Sequence, residues 1–336
     1  MNRIIIIFFI FITNCSLDTR SGIWTEQKKI EQDKLSEVIF QKKEILEKEF
    51  NPNLVIKLDS KLTNNPYLGN YSNNSGRVNF NGELKKISKF NFSKIDNFDY
   101  FEPKIIFDKE NLIFFDDKGS IIKFDESSKI IWKNNFYNKS EKKLKPILNF
   151  DNDKNILIVT DNLSKYYAIN INTGELLWEK YNSAPFNSQV KIYKDRFFVI
   201  DFDNVLKCFS IKDGNELWKF NTANPFLKSE KRHSLIIANE GVYFNNSLGD
   251  ITGLNIKNGY LLWQTPTQNT TTIEDAFNFK NSDIVANQES IVFSNNKNEF
   301  YSLNLKTGRL NWKQQINSNV RPTIINDLIF SVSNEG

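Results

Sequence analysis

One imidazole, His233, and two thiols, Cys15 and Cys208, are the whole supply of thiol and imidazole ligands in the 336 residues. That excludes sites built from two or more histidines, such as His-based zinc cages and the HExxH peptidase helix. Two cysteines far apart cannot form CxxC pairs on both sides of a metal, so no metal site is expected. Neither a GxxxxGK[ST] phosphate loop nor a GxSxG nucleophile elbow occurs, and Gly249-Asp250 after Leu248 reads as a turn between strands. Catalysis has no foothold here, and no cofactor is expected. The 44 Lys and Arg against 40 Asp and Glu leave a formal charge of +4, too small for a broad polybasic surface, so nucleic acid is not an expected partner.

The thiol with a chemical context is Cys15. Arg3 precedes an unbroken apolar run, Ile4 to Ile12, and then Thr13-Asn14-Cys15. Nine apolar residues are too few to span a bilayer as a helix, which takes about 20. A positive residue followed by a short apolar core is instead a secretory signal. Ile12-Thr13-Asn14-Cys15 resembles the bacterial lipobox, although Asn14 replaces the usual small residue. The resemblance implies a signal peptide over residues 1–14 and a diacylglyceryl thioether on Cys15. Ser16 in place of an Asp implies release to the outer membrane. With Cys15 acylated, Cys208 has no partner, and its apolar setting from Leu206 to Ile211 reads as a buried small hydrophobe.

Further along, residues 15–24 form the anchor segment. Residues 25–50 carry six Lys and seven acids, with Leu35, Val38, Ile39, Leu46 and Phe50 near one helical face. That spacing predicts an amphipathic helix. Asn51-Pro52-Asn53 stops it, and residues 51–82 read as a linker.

From residue 83 to 336 short β-rich runs take over. They include Asn111–Phe115, Asn155–Thr160, Arg196–Asp201, Gly241–Phe244 and Ser290–Phe293. Between them a motif recurs with glycine four residues before tryptophan: Gly174 and Trp178, Gly214 and Trp218, Gly259 and Trp263, Gly308 and Trp312. A degraded copy ends at Trp132, with Ser128 in the glycine position. Trp-to-Trp spacings of 46, 40, 45 and 49 residues are those of propeller blades or another β-array. The glycine suits a hairpin turn that needs positive φ. The strand before it alternates, as in Ala168-Ile169-Asn170-Ile171, which predicts one inward face. The tryptophan is expected to begin the outermost strand and to wedge between neighbouring blades, as a structural staple and not a cofactor stacker.

This pattern resembles the quinoprotein-type (PQQ-like) β-propeller repeat, which implies an all-β fold of four-stranded blades. Five complete blades and a partial sixth are expected, with an N-terminal helix outside the propeller. At about 40 to 45 residues per blade, an eight-bladed ring would need further blades beyond Gly336, so the chain reads as a fragment of a longer frame, with Leu84 to Phe92 supplying a closing outer strand. The quinone enzymes that share the repeat use adjacent cysteines, a catalytic Asp and calcium ligands, and there is no Cys-Cys here.

Lipobox and repeat together resemble the lipoprotein B family of the outer-membrane β-barrel assembly machinery. That resemblance implies a non-enzymatic scaffold, lipid-anchored on the periplasmic face of the outer membrane, a monomer within a complex, docking a β-barrel assembly subunit through loops on one face. In one such loop Pro225, Leu227 and Lys228 stand where the family has Pro, Leu and a nearby Arg. One blade later Ser282-Asp283-Ile284 matches a Ser-Asp-Val segment, with Ala286 near the place of a second acid. Leu227, Lys228, Ser282 and Asp283 are therefore the implied partner contacts; the alternative for these residues is that Leu227 caps the core and Lys228 and Asp283 are solvated loop charges. The alternative is a propeller enzyme or ligand-binding protein of the quinoprotein type.

Overall fold

The computed structural model describes residues 105–108, 110–222, 232–267, 280–325 and 328–334, with the isolated positions Val55 and Lys89. The chain divides into two compact units, Met1–Lys57 and Leu58–Gly336, and every described strand belongs to the second. Cys15, the helix expected over residues 25–50, the linker and the segment Leu84 to Phe92 lie outside the described residues, apart from Val55 and Lys89.

Five four-stranded antiparallel sheets and one two-stranded sheet make up the described fold. Blade 1 holds β1 (Ile106–Asp108), β2 (Asn111–Phe115), β3 (Ile121–Phe124) and β4 (Ile130–Asn134). Blade 2 holds β5 (Leu148–Asp153), β6 (Ile156–Asp161), β7 (Lys165–Asn170) and β8 (Leu176–Tyr181). Blade 3 holds β9 (Lys191–Tyr193), β10 (Arg196–Ile200), β11 (Val205–Ser210) and β12 (Glu216–Asn221). Blade 4 holds β13 (Leu235–Ala238), β14 (Gly241–Asn245), β15 (Ile251–Asn255) and β16 (Leu261–Thr265). Blade 5 holds β17 (Val285–Ala286), β18 (Ser290–Asn295), β19 (Glu299–Asn304) and β20 (Leu310–Gln314). β21 (Thr323–Ile325) and β22 (Leu328–Phe330) form the two-stranded sheet. The first strand of each sheet lies beside the first strand of the next, from β1 through β5, β9, β13 and β17 to β21, as in a propeller. A five-residue helix, α1 (Lys139–Lys143), interrupts the passage from β4 to β5.

The middle strands of blades 2 to 5 are buried on both faces because each of these blades lies between two other sheets. Successive residues point opposite ways along a strand, so Leu157 and Val159 pack towards blade 1, while Ile158 joins the layer with blade 3. Likewise Phe197 and Val199 face blade 2, and Phe198 and Ile200 face blade 4. The core is thus a series of inter-blade layers, and its strands read as continuous apolar runs. That corrects the single inward face expected for the strand before each turn: in β7 the five residues from Lys165 to Ile169 are all buried. Cys208 sits fully buried in the layer between blades 3 and 4, and burial pushes its thiol up to about 12.

A second correction concerns the tryptophans. Trp132, Trp178, Trp263 and Trp312 are each the third residue of the outermost strand and not the first, as is Trp218. In all five blades the ladder slips by one residue just before the tryptophan; Ile169 pairs with Leu176 but Ala168 with Trp178, leaving Leu177 as a bulge. A bulge bends and twists its strand, and here it precedes each indole as that ring turns onto the next blade.

Candidate functional site

In an antiparallel blade, the turns between strands two and three and the passages from one blade to the next emerge at the same end. That end is built by a repeated device. Asp116, Asp161, Asp201, Asn246 and Asn295 each close the second strand and accept, through Oδ1, the backbone N–H groups two and four residues on. The fourth turn position has positive φ every time: Gly119, Ser164, Asn204, Gly249 and Asn298. These are Asx turns, in which a short carboxyl or amide side chain replaces a missing ladder partner. Asp161 is fully buried, and burial raises its carboxyl above the ordinary range despite a 2.6 Å hydrogen bond from Tyr137. Burial raises Asp201 in the same way.

Nearer the axis, a buried serine precedes the first strand of four consecutive sheets: Ser188, Ser234, Ser282 and Ser318. Ser188 Oγ accepts from Ile200 N at 2.7 Å and donates to its neighbour's carbonyl at 2.7 Å. Ser282 repeats this, accepting from Ser294 N at 2.9 Å and donating to Asp283 O at 3.0 Å. The Ser282 hydroxyl is therefore spent inside its own blade. Asp283 is half-buried, and Gln189 Nε2 donates to its carboxylate at 3.0 Å from two blades away. A parallel tie runs from Arg232 to Asn149 Oδ1 at 3.3 Å, again skipping one blade. Polar side chains of blades 2 to 5 thus meet around the axis at this end.

Leu227 and Lys228 lie outside the described residues, in the passage from β12 to β13. The ends of β12 and β16 and the starts of β13 and β17, which bound that passage and the one ahead of Asp283, lie at the same end. Gln189, Arg232 and Asn149 were missed by sequence reasoning, since they carry no local motif. The serines had a signal: each follows Asn or His, as Asn187-Ser188, His233-Ser234, Asn281-Ser282 and Asn317-Ser318.

The tryptophans stand at the blade interfaces. Trp178 Nε1 donates to Ile211 O in the next blade at 2.9 Å, Trp132 to Ile171 O at 3.2 Å and Trp263 to Leu305 O at 3.0 Å. A Cβ added at Gly174, Gly214, Gly259 or Gly308 would lie within 2.8 Å of the indole of Trp132, Trp178, Trp218 or Trp263 respectively. Among the described residues no group of three or more His, Cys, Asp or Glu is placed to hold a metal ion. None of their helices is long and apolar enough to cross a membrane.

Residues 117–336 match the family model described as outer membrane protein assembly factor BamB. The chain belongs to that family. No curated protein sequence matches the chain. Among solved structures, BamB from Moraxella catarrhalis is similar, with a TM-score of 0.58, 16% identity and coverage of 69% of this chain and 70% of that one. The computationally designed Ika8 protein is similar at a TM-score of 0.55 and 13% identity, covering 69% and 68%. The quinohemoprotein alcohol dehydrogenase ADHIIG from Pseudomonas putida HK5 follows at 0.51 and 14%, covering 64% of this chain and 42% of that chain. At these identities the likeness is one of fold. It makes the five sheets blades of a PQQ-like propeller, in the number that the tryptophan spacing implied.

Proposed function

We propose that this BamB-family chain is a non-enzymatic docking scaffold for outer-membrane β-barrel protein assembly. In this reading Cys15 carries the lipid that holds it to the periplasmic face of the outer membrane. The partner is a β-barrel assembly subunit, bound by one copy of the chain within a complex. The observation that carries the reading is the BamB family match over residues 117–336. The docking face is the end where the β12–β13 and β16–β17 passages emerge. Asp283 is its described acid, held in place by Gln189, and Ser282 is a positioning residue beneath it. Leu227 supplies the apolar anchor and Lys228 a cation at the rim.

The test is capture from detergent-solubilised envelopes with the wild-type chain and the Leu227→Asp, Asp283→Arg double variant. A β-barrel assembly subunit is expected with the wild type and about tenfold less with the variant, while the thermal melt stays nearly intact. Reproducible failure of capture by the wild type, or equal capture by both, overturns the proposal. A quinone or calcium ion found in the purified protein would favour the quinoprotein-type alternative instead.

A further inference from the structure

Helix α1 contributes no buried residue to the core. A helix this short does not persist through propensity alone, and this one is held by a complete capping box. Asn138 Oδ1 accepts from Ser140 N at 2.9 Å and Glu141 N at 3.0 Å, and Glu141 Oε2 accepts in return from Asn138 N at 2.8 Å. The other Glu141 oxygen accepts from the Tyr181 hydroxyl at 3.1 Å, tying the helix to the outermost strand of blade 2. The one acid of the helix is thereby turned inward onto its own supports. What remains outward is Lys139 and Lys143, with the half-buried Lys142 between them, followed at once by Leu144, which is 63% exposed, and beside them the Tyr181 ring, 57% exposed.

We propose that Lys139, Lys142, Lys143, Leu144 and Tyr181 form a cationic docking strap for an acidic segment of a protein partner. The occupant is set by charge and shape. Three amines on one rigid turn complement carboxylates, while an exposed aromatic ring and a leucine beside them provide the anchors on which protein interfaces concentrate their energy. A membrane surface fits less well, because interfacial binding scales with buried apolar area and a single exposed leucine supplies little. Since α1 lies in the passage from blade 1 to blade 2, it emerges at the same end as Asp283. The inference therefore rests on reading that end as the docking face.

The test uses the full chain and a fluorescent poly-glutamate peptide at low ionic strength, where surface charge is least screened. The variant K139E/K142E/K143E is compared with K212E/K257E/K306E, which reverses three exposed lysines in turns at the opposite end and so matches its net charge. Both should melt like the wild type. The strap variant should lose about tenfold in affinity and the control much less. Equal loss in both, no loss in either, or no binding by the wild type overturns the strap. So does strap-dependent binding to anionic phospholipid vesicles without binding to the peptide. If the peptide binds as expected but the wild type captures no β-barrel assembly subunit from envelopes, the strap stands and the assembly role falls.

Discussion

The indole–glycine contact between blades makes a quantitative demand on a double-mutant cycle. Trp178 donates to Ile211 O, lies over Phe197 at a 6.2 Å centroid distance and 16° tilt, and meets Tyr166 edge-on at 5.9 Å. Removing it in Trp178→Ala should cost about 3–5 kcal/mol through lost packing and a cavity. Gly214 has φ +68°, and a Cβ there would fall 2.6 Å from Trp178 Cζ3. Gly214→Ala should cost about 1–2 kcal/mol for the left-handed backbone and a similar amount again for overpacking against the ring. Once the ring is gone the second cost vanishes. The double variant should then be about 1–2 kcal/mol more stable than the sum of the single effects predicts. Trp218 packs on Gly259 instead, so Gly214→Ala combined with Trp218→Ala should be additive to within about 0.5 kcal/mol. Equilibrium urea unfolding followed by far-UV circular dichroism reads all five variants without depending on tryptophan fluorescence. Additivity in the Trp178–Gly214 pair would refute the inter-blade contact.

Two more outcomes rest on single positions. Ser128 takes φ +67° where the other four blades have glycine; Ser128→Gly should therefore raise stability by about 0.5–1 kcal/mol, read as a higher urea midpoint, and a lower midpoint would count against strain there. His233 is buried, and burial lowers its imidazole from 6.5 to about 4; the unfolded chain then takes up the proton first as pH falls. Wild type should lose about 3 kcal/mol relative to His233→Gln between pH 6.5 and pH 4, and parallel pH–stability curves would disprove it.

The blade repeat was legible because its parts are local. Glycine four residues before tryptophan needs only one turn and the strand after it. The second strand of each blade showed as a short apolar run, as with Asn111–Phe115 and Arg196–Ile200. The bulge before each tryptophan was not legible, because it is a relation between two strands: Leu177 is extra only when Ile169 and Ala168 are seen against Leu176 and Trp178. The Asx turns were masked by their own chemistry. Aspartate serves in blades 1 to 3 and asparagine in blades 4 and 5, and glycine, serine or asparagine all accept the left-handed position. At the end where the blade-to-blade passages emerge, Gln189 and Asp283 are 94 residues apart, and only folding makes them neighbours. Ser282 has a second side to it: its segment resembles a contact motif, and in the fold its hydroxyl is committed to Ser294 N and Asp283 O, a pairing that no local pattern shows.

The docking face proposed above is favoured by how the propeller treats its edges. Outermost strands present unpaired backbone groups that invite pairing with another chain. These strands also expose apolar residues, among them Ile131, Leu177, Leu217 and Leu262 at about half exposure. Each of those four is the bulged residue of its blade, so the ladder slips where the surface is most adhesive. A slipped, twisted edge is a poor template for a further strand. The edges are thus defended against strand addition, whereas at the end with the blade-to-blade passages Asx turns take up backbone N–H groups and polar side chains are tied across blades. Side chains held there, such as Asp283 by Gln189 and α1 by Asn138 and Tyr181, are ordered before any partner arrives, which lowers the entropy lost on docking.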